Sequence, residues 1–334
     1  MGRYRGHAAK PVPFPGGLTR PPDRYDGSMS FISILFALLL EQAKPLAQVN
    51  PVHNTVRNWV HWVMRNLDAG KPQHAWLAWG FSVLVPSALV CAVHWLLVWT
   101  LGWVAAVIWN VAILYATLGF RQFSHHFTAI RDALHAGDED QARQLLAQWM
   151  RIDASTLPRS EIVRHVIEHS ILSAHRHVFG VFAWYSLLAA LGLGPAGAVL
   201  YRVSEYVMVF ANRPIVPSSP LISQVVINNA TQAWAAIDWV PARITALSFA
   251  FVGSFEEAVD GWRQYESNAG ATSDGVVLAA TAGAVNVKLG TQVGEGGGQV
   301  PQPVHLRAVV GLVWRTVVMW MIFLALLSLA RLLG

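Results

Sequence analysis

The most specific arrangement of chemically reactive side chains in the sequence is a His-x-x-Glu-His pattern. It consists of His165, Glu168 and His169. On a helix, two histidines four residues apart share a face and can bind Zn²⁺, with the glutamate beside them as a general base. The chain contains 13 histidines, so a match of this length can arise by chance, and the sequence identifies no further acidic ligand. A solvated helix face is the simpler interpretation, and zinc is not expected here.

Two other motifs, for phosphate binding and for nucleophilic catalysis, are absent from the sequence. It contains neither G-x-x-x-x-G-K-[ST] nor G-x-S-x-G. The glycine run at 294–298 lacks a following helix start and favours a flexible loop. His175, Arg176 and His177 are interpreted as the interfacial end of a membrane span rather than as a site. The single cysteine, Cys91, excludes an intramolecular disulfide.

The composition indicates that membrane helices position these side chains. Hydrophobic residues make up 54% of the 334 residues and charged ones 13%, against about 25% charged residues in an average soluble domain. The 49 residues from 72 to 120 contain no Asp, Glu, Lys or Arg. As one helix, the apolar part of this stretch (75–119) would be about 68 Å long, over twice the roughly 30 Å hydrocarbon core. We therefore predict a transmembrane hairpin whose turn lies near residues 99–102.

The remaining apolar segments extend this hairpin into an all-α fold. We predict a polytopic integral membrane helical bundle, of about four to six membrane helices, with a cytoplasmic helical subdomain. Residues 221–255 are apolar but contain Asp238 and Arg243. A charge at the bilayer centre costs at least about 2.5 kcal/mol, so this segment should face other helices or a polar cavity. The predicted parts are a disordered N-terminal extension (1–28, unless translation starts at Met29), a short apolar helix and an amphipathic helix (29–74), the hairpin (75–119), the cytoplasmic subdomain (120–177), a span kinked at Pro195 (178–203), the polar-lined segment (221–255), a loop region with a Gly-rich stretch (256–308) and a C-terminal span (309–334).

Residues 120–177 have the pattern of amphipathic helices. Gly137 is expected to end one helix in the left-handed conformation, and Asp138 with Gln141 resembles a capping box for the next. A third helix is expected to start near Ser160 and to run towards the following span. This region contains seven arginines, so the positive-inside rule places it in the cytoplasm. The expected partner is the lipid bilayer and not nucleic acid, because the basic residues are spread along the chain.

Several motifs are similar to those of the CobD/CbiB family of cobalamin-biosynthesis membrane proteins. The first covers residues 131–171 and includes RDALHAGDEDQARQLL and RIDASTLPRSEIVRHVIEHSI; the family has there a helix pair around G-D, then G-R-D-T, then a helix with A-V-E-S. Together with the segments named below that resemble a related family, the similar segments cover most of residues 29–334. Further similar segments are N-P-V at 50–52, P-A-R-I-T-A at 241–246, N-A-G at 268–270, A-G-A at 282–284 and L-G at 289–290.

The resemblance implies an integral membrane synthase that joins adenosylcobyric acid to an aminopropanol phosphate, using ATP and Mg²⁺. Asp153 matches the aspartate of G-R-D-T and Glu168 the glutamate of A-V-E-S, so both are implied as catalytic residues and Mg²⁺ ligands. The implied location is the bacterial inner membrane, with several spans, and a homo-oligomer is left open. The side chains implied in binding a corrinoid or nucleotide at the cytoplasmic face are Arg131, Arg151, Asp238, Arg243 and Asn268.

Other segments resemble the AmpE proteins, membrane components linked to β-lactamase regulation: H-V-F at 177–179, G-P-A-G-A at 194–198 and D-W-V-P at 238–241. Two acidic segments of the synthases are also replaced, E-N-T-S-D-G by LSAHRHVFG at 172–180 and N-T-x-D-S by SEYVMV at 204–209. Two hypotheses therefore stay open, a cobamide-pathway enzyme and a membrane sensor or accessory protein without catalysis. The enzyme requires at least two carboxylates within reach of one Mg²⁺, whereas the regulator does not.

Overall fold

The computed structural model describes residues 27–44, 51–68, 70–213, 222–290 and 298–333. Most of the predicted N-terminal extension and most of the glycine run at 294–298 lie outside these described residues. The described residues form helices joined by turns, with no β-structure among them beyond one isolated bridge between Val287 and Gln299. In chain order the helices are α1 (Gly27–Ala43), α2 (Pro51–Leu67), α3 (Pro72–Leu101), α4 (Trp103–Thr117), α5 (Phe120–Ala136), α6 (Glu139–Met150), α7 (Arg159–Ala174), a π-helical turn (His175–Phe179), α8 (Gly180–Ala190), α9 (Ala196–Ala211), α10 (Gln224–Val252), α11 (Phe255–Glu266), α12 (Ser273–Val285) and α13 (Pro303–Leu333).

Three helices are long and apolar enough to cross a membrane, judged by length and composition. They are α3, α10 and the segment Pro303–Ala330 of α13. Large apolar side chains on α3, such as Phe81, Leu89 and Trp99, are exposed, as expected for a surface in contact with lipid. The predicted all-α membrane bundle is confirmed. Shorter apolar helical segments are Ser30–Ala43, Trp103–Thr117 and Ser273–Val285.

The hairpin predicted from the uncharged stretch consists of α3 and α4. The two helices are separated at Gly102, where φ is +82°. Glycine adopts this backbone conformation readily, and residues with a side chain rarely do. α1 packs against α4 and α13, and its Ile34 and Ala37 side chains are fully buried. The predicted short apolar helix is therefore part of the bundle.

Residues 178–203, predicted as one kinked span, are divided between two helices that pack side by side. α8 continues α7 through the π-helical turn, and α9 returns in the opposite direction. With 11 residues, α8 is only about 16 Å long. The chain reverses because Gly192 and Gly194 take φ values of +77° and +54°, and Pro195 has no N–H to extend the α8 hydrogen bonds. The uncharged stretch within this segment therefore comes from two short helices and not from one span.

Residues 256–308, predicted as a loop region, contain most of α11, all of α12 and the start of α13. α11 and α12 pack on each other and on α10. Small residues permit this contact, because Gly283 lies against the backbone of Glu257, and Gly261 lies against the backbone of Ala279. α12 is rich in Ala and Gly and lacks the periodic apolar stripe that identifies an amphipathic helix. The sequence pattern therefore did not reveal it.

α5, α6 and α7 form the three-helix arrangement expected for residues 120–177. Gly137 follows α5 with φ of +79°, and the Asp138 carboxylate accepts the Gln141 N–H at 2.9 Å at the start of α6. α7 begins at Arg159 and continues without interruption into the π-helical turn. This continuous helix connects the subdomain with the interior of the bundle.

Candidate functional site

A π-helical turn interrupts the long helix formed by α7 and α8. It is closed by the N–H of Gly180, which donates to the carbonyl of His175, five residues earlier. Such turns insert one extra residue into a helix and occur often at functional sites. Here the turn carries three consecutive polar side chains, His175, Arg176 and His177, and each contacts a different set of residues on the neighbouring helices.

The first of these side chains lies in a fully buried set of hydrogen bonds, the His175 network, formed by His175, Tyr201, Asp238 and Thr245. His175 Nε2 lies 3.0 Å from Asp238 Oδ1, and His175 Nδ1 lies 2.9 Å from the Thr245 hydroxyl. The Tyr201 hydroxyl donates to the same Asp238 oxygen at 2.7 Å. All four residues have 0% exposure. The network joins the π-helical turn to α9 and α10 in the bundle interior.

Arg176 connects this network with α12. Its guanidinium forms an ion pair with Asp274, in the first turn of α12, and lies 6.0 Å from the centroid of the Trp234 ring. The Trp234 ring lies 5.1 Å from the Tyr201 ring and one helical turn before Asp238. The side chains of Arg176 and Asp274 are 22% and 35% exposed. This end of the cluster therefore reaches the surface of the bundle.

The third side chain, His177, contacts α9. Its Nε2 atom lies 3.6 Å from Glu205 Oε1, and Glu205 also forms an ion pair with Arg202. The positive charges of Arg202 and Arg176 both act on His177. The π-helical turn is therefore surrounded by charged side chains from three other helices.

The two carboxylates implied as Mg²⁺ ligands have separate partners. Glu168 Oε1 accepts the Gly290 N–H at 2.8 Å and lies 4.0 Å from Arg164 Nη1. Asp153 lies on the surface and accepts hydrogen bonds from the N–H and the hydroxyl of Ser155 at 3.0 and 2.7 Å. These hydrogen bonds hold the pKa of the Asp153 carboxyl below its usual value. Within the described ranges, no hydrogen bond or ion pair joins Asp153 to Glu168 or gives them a common partner.

Asp238 is also separated from Glu168. Glu168 and His175 are seven residues apart on one continuous helix, which corresponds to about 10 Å along its axis. Asp238 contacts His175, and no hydrogen bond or ion pair among the described residues joins it to Glu168. The structure brings Asp238 together with His175 and Tyr201, and it leaves Glu168 beside Gly290.

Two of the side chains implied in ligand binding lie on the subdomain. Arg131 forms an ion pair with the adjacent Asp132 at 2.7 Å. Arg151 ends α6 in the left-handed conformation, with φ of +56°. In this structure Arg131 pairs with a neighbouring acid and Arg151 ends a helix.

Two more lie at the contact between α10 and α11. Arg243 forms an ion pair with Glu266 and lies 4.1 Å from the centroid of the Trp239 ring. Asn268 donates its backbone N–H to the Tyr265 carbonyl at 3.2 Å. Their ligand roles stay predictions.

Within the His-x-x-Glu-His pattern, His169 packs inside the subdomain. His169 meets the Trp149 ring edge-on at 4.5 Å, and Trp149 stacks on His126 at 5.6 Å. Burial, together with the positive charge of Arg176, lowers the pKa of His169 to about 4. Within the described part of the chain, no group of three His, Cys, Asp or Glu residues is arranged to hold a metal ion.

The lowered pKa of His169 predicts that the stability of the protein depends on pH. Its pKa is about 4 in the folded chain and about 6.5 in the unfolded one, so between these values the unfolded chain binds a proton that the folded chain does not. Stability should therefore fall as the pH decreases from 6.5 to 4, by at most about 3 kcal/mol for this group. His169→Phe should reduce the fall in melting temperature of the detergent-solubilised protein over this range. The exposed His135→Gln should not reduce it. Equal slopes for wild type and His169→Phe would contradict the prediction.

The sequence interpretation of residues 175–177 as an interfacial helix end missed this site. A signal was present, because Asp238 is the single acidic residue of the apolar segment 221–255, and an ionisable residue in such a segment requires a partner. His175, located just before another apolar run, was a candidate for that partner. Only the folded chain shows that the two meet.

Comparisons with known proteins cover most of the chain. A sequence model of the CobD/Cbib protein family matches residues 33–207, slightly more than half of the 334 residues. The chain is 28% identical over 322 residues to the cobalamin biosynthesis protein CobD of Stutzerimonas stutzeri, covering 88% of this chain and 96% of that protein. It is 30% identical over 217 residues to the protein of the same name from Chromobacterium violaceum, covering 61% of this chain and 62% of that protein. No solved structure matches. The matched region includes the π-helical turn, Tyr201 and both implied Mg²⁺ ligands, and the chain belongs to the CobD/CbiB family.

Proposed function

We propose that the protein catalyses an amide-forming step of cobalamin biosynthesis, as an adenosylcobinamide-phosphate synthase-like protein of a bacterial inner membrane. The observation that carries the proposal is the similarity to the Stutzerimonas protein, named cobalamin biosynthesis protein CobD, over 96% of its length. The three helices that are long and apolar enough to cross a membrane support the membrane location. The family match favours this function over an AmpE-like regulatory role.

The proposed reaction joins a carboxylate of adenosylcobyric acid to the amine of an aminopropanol phosphate. The substrate nitrogen starts as an ammonium group, gives up two protons and forms the new C–N bond; one proton ends on the inorganic phosphate and the other is released. One carboxylate oxygen leaves with the terminal phosphoryl group of ATP as inorganic phosphate, and ADP is the other product. The protein must hold these charged reactants together and keep the amine close to the carboxyl carbon.

Glu168 and Asp153 are the carboxylates that the resemblance implies as Mg²⁺ ligands, but they have separate partners here and do not form one Mg²⁺ site, so no step is assigned to the ion. Glu168 is partly buried, and its Oε2 atom forms no hydrogen bond to the described residues. Among the described residues, only one oxygen of Asp153 accepts hydrogen bonds, both from Ser155. When bound, Mg²⁺ would neutralise part of the phosphate charge.

Complementation of a cobamide-auxotrophic strain that lacks its own synthase tests this function. The intact chain should restore growth on supplied adenosylcobyric acid. We expect Glu168→Gln to abolish the rescue at low expression, because loss of a catalytic acid, base or metal ligand costs about 10²- to 10⁴-fold in rate.

Glu161→Gln is the matched control, because Glu161 lies on the same helix and pairs with the same arginine, Arg164. It should rescue like the wild type, with membrane expression verified for every variant. No rescue by intact protein present in the membrane would contradict the synthase and favour the regulator. Full rescue by Glu168→Gln would remove Glu168 from the chemistry.

A further inference from the structure

Three exposed arginines at one end of the bundle have no acidic partner. Arg57 and Arg65 lie on α2, one helical turn before and one turn after His61, and Arg213 is the second residue after the end of α9. Their guanidiniums form no ion pair with the described residues. The sequence contains no Asp or Glu at 42–67 or at 206–237. The chain segments that carry these arginines therefore supply no counter-charge.

Contacts between α2 and α9 bring the three arginines to one place. The His61 ring stacks on the Phe210 ring at 4.3 Å, and Arg213 follows Phe210 by three residues. Burial and the positive charges of Arg213, Arg57 and Arg65 lower the pKa of His61, so all three charges act on the same ring. We call Arg57, Arg65 and Arg213 the arginine surface.

The acidic residues closest to these arginines along the chain have other partners. The Asp68 carboxylate, three residues after Arg65, accepts hydrogen bonds from the N–H and the hydroxyl of Ser223 at 2.8 and 2.7 Å, and from the N–H of Gly70 at 3.1 Å. Glu205 on α9 forms an ion pair with Arg202. The arginine surface therefore favours an anion from outside the chain.

Exposed tryptophans indicate where this surface lies relative to the membrane. Trp76 and Trp99 on α3 are 45% and 77% exposed, and their spacing along the helix corresponds to about 35 Å, close to the roughly 30 Å hydrocarbon core. Tryptophans at the two ends of a span mark its two interfaces. α2 packs at the Trp76 end of α3, where Val63 lies in one buried cluster with Ala75. The arginine surface is therefore located at the level of the lipid headgroups.

The chemistry of the surface favours an anionic headgroup. A guanidinium offers a planar pair of donors that matches a phosphate group. A zwitterionic headgroup would bring its own cation to a surface that already carries positive charges without partners, whereas an anionic headgroup would not. Trp62, one turn before Arg65 on α2, is 59% exposed and provides the amphipathic ring that is typical of membrane interfaces.

We infer that the arginine surface binds the phosphate group of an anionic phospholipid, with Trp62 beside the lipid glycerol. The bound lipid would hold α2 against α9, the helix that also carries Tyr201 of the His175 network. This lipid site is independent of the proposed synthase reaction, because none of its residues belongs to the site described above.

Native mass spectrometry of the full-length protein in neutral detergent tests the site, because it counts bound lipid molecules and gives their apparent affinity. Phosphatidylglycerol should bind at least tenfold more tightly than phosphatidylcholine with the same acyl chains. The triple variant Arg57→Gln, Arg65→Gln, Arg213→Gln should bind phosphatidylglycerol at least tenfold more weakly and phosphatidylcholine as before, since each basic residue at an anionic surface contributes about fivefold.

Arg263→Gln is the matched control. Arg263 is exposed on α11 and likewise forms no ion pair with the described residues, so this variant should bind phosphatidylglycerol like the wild type. Equal affinity of the wild type for the two lipids, unchanged phosphatidylglycerol binding by the triple variant, or equal weakening by Arg263→Gln would overturn the lipid site. If the triple variant does not fold, unchanged binding by Arg213→Gln, where about fivefold weaker binding is expected, would overturn it.

Inorganic phosphate distinguishes a lipid headgroup from a soluble phosphate compound. Millimolar phosphate should displace no more phosphatidylglycerol than chloride does at the same ionic strength. Stronger displacement by phosphate would overturn the lipid site in favour of a soluble ligand. Rescue of the auxotroph is a separate measurement, so failure of the lipid site and failure of the synthase proposal can be told apart.

Discussion

Gly197→Ala should strongly destabilise the protein, because a methyl group at this position has no room between α8 and α9. A Cβ built on Gly197 would lie closer than 3.0 Å to the backbone carbonyl oxygen of Trp184. A backbone atom in a helix cannot move aside as a side chain can, so the two helices must separate. Overpacking of this kind costs typically 1–3 kcal/mol and sometimes more, and we expect about 3 kcal/mol here.

The same change should disturb the His175 network. Tyr201 lies one turn after Gly197 on α9, and its ring covers Gly180, the first residue of α8, so closely that a Cβ there would also clash. A shift of α9 would therefore pull the Tyr201 hydroxyl away from Asp238. Thermal unfolding in detergent, followed by circular dichroism, measures the loss of stability.

Gly311→Ala on α13 is the matched control. A Cβ on Gly311 meets no atom within 4 Å, so this substitution should gain about 0.5–1 kcal/mol from the higher helix propensity of Ala. If Gly197→Ala melted at or above the temperature of Gly311→Ala, the close contact of α8 with α9 would be wrong.

Asp238→Leu should have the other large effect on stability. It leaves His175 Nε2 and the Tyr201 hydroxyl buried without their acceptor. Breaking a buried, hydrogen-bonded pair by removal of one partner costs about 3–5 kcal/mol. Asn229→Leu on the same helix is the control, because Asn229 is buried but makes one long hydrogen bond, of 3.3 Å, to the carbonyl of Pro72, and it should cost about 1 kcal/mol.

A double-mutant cycle separates the pair from general damage to the core. His175→Leu combined with Asp238→Leu removes both partners, so the double variant should be less destabilised than the sum of the single variants by about 0.5–3 kcal/mol. Additive losses would show that His175 and Asp238 do not interact. The measurement uses unfolding free energies of the purified variants under identical detergent conditions.

Local features of the fold could be predicted from the sequence because their causes lie within a few residues. The hairpin turn near Gly102 could be predicted because the uncharged stretch around it is too long for one span. Asp138 begins α6 because its side chain can accept the N–H of Gln141, three residues on. The family was recognised for a similar reason, since its motifs are short runs of neighbouring residues around Asp153 and Glu168.

Other features depend on contacts that sequence patterns do not show. The predicted span at 178–203 divides into α8 and α9 because Gly197 permits the close approach of two short helices. α12 was missed because its Ala- and Gly-rich helix is held by contacts with α10 and α11. In both segments, small residues allow one helix to pack closely against the backbone of another.

The sequence by itself determined the membrane character, the hairpin, the start of the subdomain helices and the family, because each follows from composition or from residues close together in the chain. Only the tertiary structure decided the candidate site. His175 meets Asp238 across 63 positions and Arg176 meets Asp274 across 98, and no periodicity encodes such pairs. The physical reason is burial, since an ionisable side chain in an apolar helix must find its partner on another helix, and the packing of the bundle determines which partner that is.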